Sequence, residues 1–166
     1  MALLYWGCGP SARSGDRVFY TADAYHDFIL EQQNAVSARM VSLNQLYDVG
    51  SPEAIRAGFD STVVETDRCL FNLQQLTDFE GDTLLRDQAC NLFRFYQRIF
   101  KGDYRTMLQI FLKGDTASDA EIEKLNAIVR KVGAEEQQLQ AALVQTQIQF
   151  ARKFEFELDS SLVQFR

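Results

Sequence analysis

The chain is poor in the residues that most reactive sites need. It holds one histidine, His26, three cysteines, two prolines and nine glycines. A di-iron bundle site uses two Glu-x-x-His pairs, so one histidine excludes it. Covalent haem needs Cys-x-x-Cys-His, which does not occur. So little proline and glycine argues against collagen-like, linker-rich or many-turned β architectures. Positive charge is also short, with 17 Lys and Arg against 23 Asp and Glu, a net charge of −6. That balance argues against nucleic acid and anionic head groups as partners, because both need local positive charge. After the first few residues, no apolar run approaches the roughly 18 residues that a membrane span requires. What the chain does have is aromatic bulk. Thirteen Phe and six Tyr in 166 residues can fill a sizeable core, which excludes intrinsic disorder and suits one domain.

Four segments carry helical periodicity. The first runs from about 22 to 48, with Tyr25, Phe28, Ile29, Val36, Met40, Leu43 and Tyr47 at three- and four-residue steps. Ser51-Pro52-Glu53 then supplies a cap, a first-turn proline and an acid at the positive dipole end. The second segment carries Ile55, Phe59, Val63, Thr66, Leu70, Leu73 and Leu76. The third is the most apolar: Leu92, Phe93, Phe95, Tyr96, Ile99 and Phe100 fall within about 160° of arc. Gly102 is placed to bend it before Tyr104, Met107, Leu108 and Phe111 continue. Ser118 with Glu121 forms a capping box for the fourth segment, whose stripe is Ile122, Leu125, Val129, Val132, Leu139, Leu143 and Phe150. Near Lys153 the pattern turns to period two, so residues 154–158 are expected to lie extended. Long helices joined by short breaks must pack antiparallel. The expected fold is therefore an all-α, up-down-up-down four-helix bundle over residues 22–158, with a C-terminal tail at 159–166.

The amino terminus has its own pattern. An apolar run from Ala2 to Trp6, then Gly7 and Cys8, resembles the lipobox of bacterial lipoproteins, in which the cysteine is acylated and becomes the first mature residue. That likeness implies lipid attachment at Cys8, Met1 as a late-assigned start, and residues 9–21 as a flexible tether. The competing interpretation is an ordinary terminus with an accidental Gly-Cys. Cys69 and Cys90 each lie about ten residues from the turn near Phe79, at equal height in an antiparallel hairpin. A disulfide there would close a loop of about twenty residues and contribute on the order of 3 kcal/mol. The alternative is two small buried hydrophobes.

Few side chains are candidates for chemistry. His26 with Met40 or Met107 could ligate haem non-covalently, but a capping or surface role for His26 is simpler. With Cys8 assigned, too few Cys and His remain for structural zinc. Asp115, Thr116, Ser118, Asp119 and Glu121 make a loose oxygen cluster without calcium-loop spacing, and helix capping explains them better. Glu136 lies on the apolar stripe of the fourth segment, where burial can raise a carboxyl pKa, or where a carboxylate snorkels or pairs with a cation. Gln137, Gln138, Gln140, Gln145, Gln147 and Gln149 form a polar face. Phe93, Tyr96 and Phe100 are the candidate lining of a ligand pocket, set against an ordinary packed core.

The segment Gly81-Asp-Thr-Leu-Leu-Arg-Asp87 with Leu92, Phe93, Tyr96, Ile99 and Tyr104, and Tyr25-His-Asp-Phe-Ile29 with Gln32 and Gln33, resembles a family of uncharacterised bacterial surface lipoproteins. The resemblance spans about residues 22–158. It implies a helical bundle tethered by an N-terminal lipid, and it carries no catalytic residues. The resulting expectation is a non-enzymatic, lipid-anchored envelope protein that binds a protein partner. Its membrane contact would come through the lipid alone, without cofactor, metal or nucleic acid. The alternative is a carrier of an apolar or haem-like small ligand within the bundle.

Overall fold

The computed structural model describes residues 12–158. They form an all-α four-helix bundle with one small hairpin. Strands β1 (Ala12–Ser14) and β2 (Arg17–Phe19) come first, then α1 (Ala22–Val49) and α2 (Pro52–Gln75). The third rod is broken into α3 (Leu84–Lys101) and α4 (Asp103–Phe111), and after a 3-10 turn the fourth rod is α5 (Asp119–Lys153). No helix among the described residues is long and apolar enough to cross a membrane. Cys8 and the tail at 159–166 lie outside the described residues.

Local chemistry accounts for the helix limits. Ser51 caps α2 by accepting from the Ala54 N–H, with Pro52 at the first position. Ser118 and Glu121 form the reciprocal capping box of α5. Thr83 at the start of α3 makes no capping bond with its side chain; the preceding Asp82 does so instead, its Oδ1 accepting from Leu84 N at 2.9 Å. Gly102 divides the third rod: its N–H is shared between the Arg98 and Ile99 carbonyls, and Asp103 starts α4 at once. α5 ends at Lys153. Glu155 then takes φ +56, so residues 154–158 leave the helix through a turn rather than as a straight extension.

Residues that meet across neighbouring helices show opposite chain directions. Asn72 donates to Gln32 at 2.9 Å, while Gly58 lies against Leu46, so close that a Cβ at 58 would stand 2.6 Å from the Leu46 Cδ1. Gln97 donates to Asp67 and Phe59 meets Phe100, linking α2 to α3. Arg98 pairs with Glu135 and Lys131 with Asp103, linking the third rod to α5. The arc forecast for α3 is the core face: Leu92, Phe93, Phe95, Tyr96, Ile99 and Phe100 are all buried.

One expectation requires correction. From Ala12 onward the residues expected as tether form the β-hairpin, in register Ala12–Phe19, Arg13–Val18 and Ser14–Arg17. Gly15 at φ +56 supplies the left-handed position of its two-residue loop. Distant groups hold the hairpin. Arg13 exchanges bonds with Thr77, accepting from its N–H at 2.7 Å and donating to its Oγ1 at 2.8 Å, and Ser14 donates to the Asn72 carbonyl. Phe19 is buried against Tyr25 and Phe28, so the hairpin seals one end of the bundle.

Candidate ligand cleft

The aromatic residues divide between two ends of the bundle. At the sealed end Tyr25 stacks on Phe150 at 5.6 Å, and Phe79 contacts Tyr25, Phe150 and Phe154 within 6.0 Å. The Tyr25 hydroxyl donates to the Thr77 carbonyl at 3.0 Å. Gln147 donates to Gln33 at 3.1 Å, the next tie between α1 and α5. Beyond it the two helices border a cleft of about 520 Å³. Met40, Leu43, Asn44 and Tyr47 of α1 form one wall; Phe59 and Phe100 form the floor; Tyr104, Met107 and Phe111 come from α4, and Leu125 and Glu136 from α5.

The break at Gly102 helps build this opening. Gly102 leaves helical geometry (φ −121, ψ −92), and α4 beyond it contributes Tyr104, Met107 and Phe111 to the cleft. The first third of α5 is left without full cover: Ile122 is 46% exposed and Val129 48%, although both lie on its apolar stripe. Rings pair within the walls, Tyr47 on Phe111 at 4.7 Å and Phe100 on Tyr104 at 5.2 Å. Two methionines add polarizable surface that adapts to varied ligand shapes.

The polar part of the site is small and ordered. The Tyr96 hydroxyl donates to Glu136 Oε1 at 2.9 Å. Gln140 Nε2 lies 3.1 Å from both Glu136 Oε1 and the Tyr96 oxygen. Burial, reinforced by the Glu136 charge, pushes the Tyr104 phenol up to about 12 and raises Tyr96 further. Burial also raises Tyr47. The phenols therefore remain protonated donors across the physiological range. A second hollow of about 310 Å³ lies across Phe59, with Arg56, Asp60 and Arg105 on its rim.

Of the three residues forecast to line a pocket, Phe100 does so. Phe93 is fully buried core, and Tyr96 acts through its hydroxyl on Glu136. Glu136 is half-buried, and among the described residues its partners are neutral donors rather than a cation. Gln147 is buried instead of belonging to a solvated glutamine face. His26 is 2% exposed, not at the surface: it lies at the sealed end beside Phe156. Met40 is fourteen positions further along α1, about 21 Å at 1.5 Å per residue, so the two cannot ligate one haem iron. Cys69 and Cys90 are free and buried. Cys69 lies beside Glu65 and Arg68 and feels Glu31 of α1, whereas the charges near Cys90 are on α3, so their helices turn them toward different surroundings. Burial raises both thiols, Cys69 to about 11, which leaves neither as a ready nucleophile. Glu121 is occupied by capping Ser118 and pairing with Lys113. Among the described residues no group of three or more His, Cys, Asp or Glu is placed to hold a metal ion.

The cleft itself gave no signal that periodicity analysis could detect. Its aromatic and methionine residues continue the same apolar stripes that form the core. The one irregular mark was a carboxylate, Glu136, on such a stripe. No family model, curated protein or solved structure matches the chain, so the cleft is interpreted from its own chemistry.

Proposed function

We propose that the protein is a non-enzymatic binding protein that holds an apolar small molecule in the cleft between α1, α4 and α5. One observation carries this interpretation: an opening of about 520 Å³ with mostly apolar walls and one ordered carboxylate, within the usual size of small-molecule sites. The lipobox-like Ala2–Cys8 stretch and the resemblance to surface lipoproteins support an envelope location with lipid on Cys8. Intact mass from native membranes should show acylation starting at Cys8, and a chain retaining Met1 would remove that part.

The binding test is titration with a neutral fluorescent probe, N-phenyl-1-naphthylamine. Saturable one-to-one binding is expected, weakened at least tenfold by Met107→Trp, which fills the cleft, at unchanged helix content. Absence of saturable binding, or equal binding by a folded Met107→Trp chain, would overturn the interpretation. The exposed Ile122 and Val129 beside Leu125 favour a second possibility, a helix of an envelope protein partner lying along the same cleft. A pull-down from detergent-solubilised envelope would then lose its partner on Val129→Glu.

A further inference from the structure

The cleft has a charge that no described residue neutralises. Glu136 borders it, yet among the described residues Glu136 forms no ion pair. The nearby cations are engaged elsewhere, Arg98 with Glu135 and Lys131 with Asp103. Oε1 takes both donors, the Tyr96 hydroxyl and the Gln140 amide, while Oε2 accepts no hydrogen bond from the described residues. Because Tyr96 is buried and anchored in α3, the carboxylate is held in place before any ligand arrives. Its charge also reaches Tyr104 across the cleft. A half-buried carboxylate with one oxygen unused favours a cationic donor, because charge-assisted hydrogen bonds are the stronger kind and desolvation sharpens them.

The surrounding walls favour the same ligand class. Tyr47, Tyr104 and Phe111 are among the lining side chains, and aromatic rings attract an ammonium group through their quadrupoles. Met40, Met107 and Leu125 offer apolar surface for a hydrocarbon body. An anionic head group would meet Glu136 and a chain of net charge −6. We propose that the cleft selects a cationic amphiphile, an apolar chain or ring system ending in a protonated amine, with Glu136 as its counter-charge. This rests on interpreting the cleft as a ligand site.

The test is displacement of N-phenyl-1-naphthylamine from the wild-type chain by decylamine, decanol and decanoate, each below its micellar range at pH 7. Decylamine is expected to displace the probe at a concentration at least tenfold lower than decanol, with decanoate weakest. Glu136→Gln keeps an acceptor for Tyr96, so it should bring decylamine level with decanol while decanol itself shifts less than twofold. Equal displacement by decylamine and decanol in the wild type overturns the charge selectivity and leaves the cleft as an apolar site. Amine preference that survives in Glu136→Gln also overturns it. Failure of all three ligands and of the probe overturns the cleft as a ligand site altogether. The wild-type ranking decides the outcome independently of how the variant folds.

Discussion

Acidification should destabilise this protein through one imidazole. His26 is the sole histidine of the chain, so no other side chain of its kind contributes. Its Nε2 is buried with no hydrogen-bond partner among the described residues, and its ring rests on Phe156 at 5.6 Å. Burial lowers its pKa, opposed by Asp27, whose carboxylate lies 3.5 Å from Nδ1. Asp27 is largely exposed, so solvent weakens that attraction. The unfolded chain binds a proton near pH 6.5, and the folded chain does so only at lower pH. Stability is therefore complete above about pH 6.5 and falls as the pH drops toward the folded value. The slope cannot exceed about 1.4 kcal/mol per pH unit for one proton, and stability should decline steadily between pH 7.5 and 5.5. Urea denaturation followed by circular dichroism at steps across that range would measure it. His26→Phe, which preserves a ring beside Phe156 and removes the unpaired nitrogen, should flatten the profile and equal or exceed the wild type in stability. A wild-type profile already flat from pH 7.5 to 5.5, or the same slope in His26→Phe, would refute the reasoning.

Other perturbations probe different parts of the fold. Both thiols should react slowly with a disulfide reagent in the native protein and completely in denaturant without reductant; protection in denaturant would reveal a bridge between them. Ser118→Ala removes the acceptor for the Glu121 N–H and should cost about 1 kcal/mol in urea unfolding. Phe79→Ala at the sealed end should cost about 3–5 kcal/mol, because its ring is buried against Tyr25, Phe150 and Phe154. Phe111→Ala, 43% exposed on the cleft wall, should cost less than half as much; equal losses would contradict the contrast between a packed end and an open one.

Much of the bundle was legible because its signals are local. The apolar arc of α3, the caps at Ser51 and Ser118 and the break at Gly102 depend on residues within a turn or two of one another. The hairpin was not legible. Each strand is three residues long, and the bonds that secure it reach Thr77 and Asn72, about sixty positions away. His26 and Gln147 were misjudged for a similar reason. Their polarity indicates solvent, but Phe156, from the segment that follows α5, and Gln33, from α1, cover them.

Alone, the sequence determined that four apolar-striped rods exist, where each begins and ends, and that few reactive side chains accompany them. Only the tertiary structure decided how those rods rotate and where they part. It therefore decided which aromatics became core, which became cleft walls, and that Glu136 rather than a hydrophobe borders the opening. Periodicity records that a face must be covered, but the identity of the covering group depends on contacts between distant segments, which no local pattern encodes.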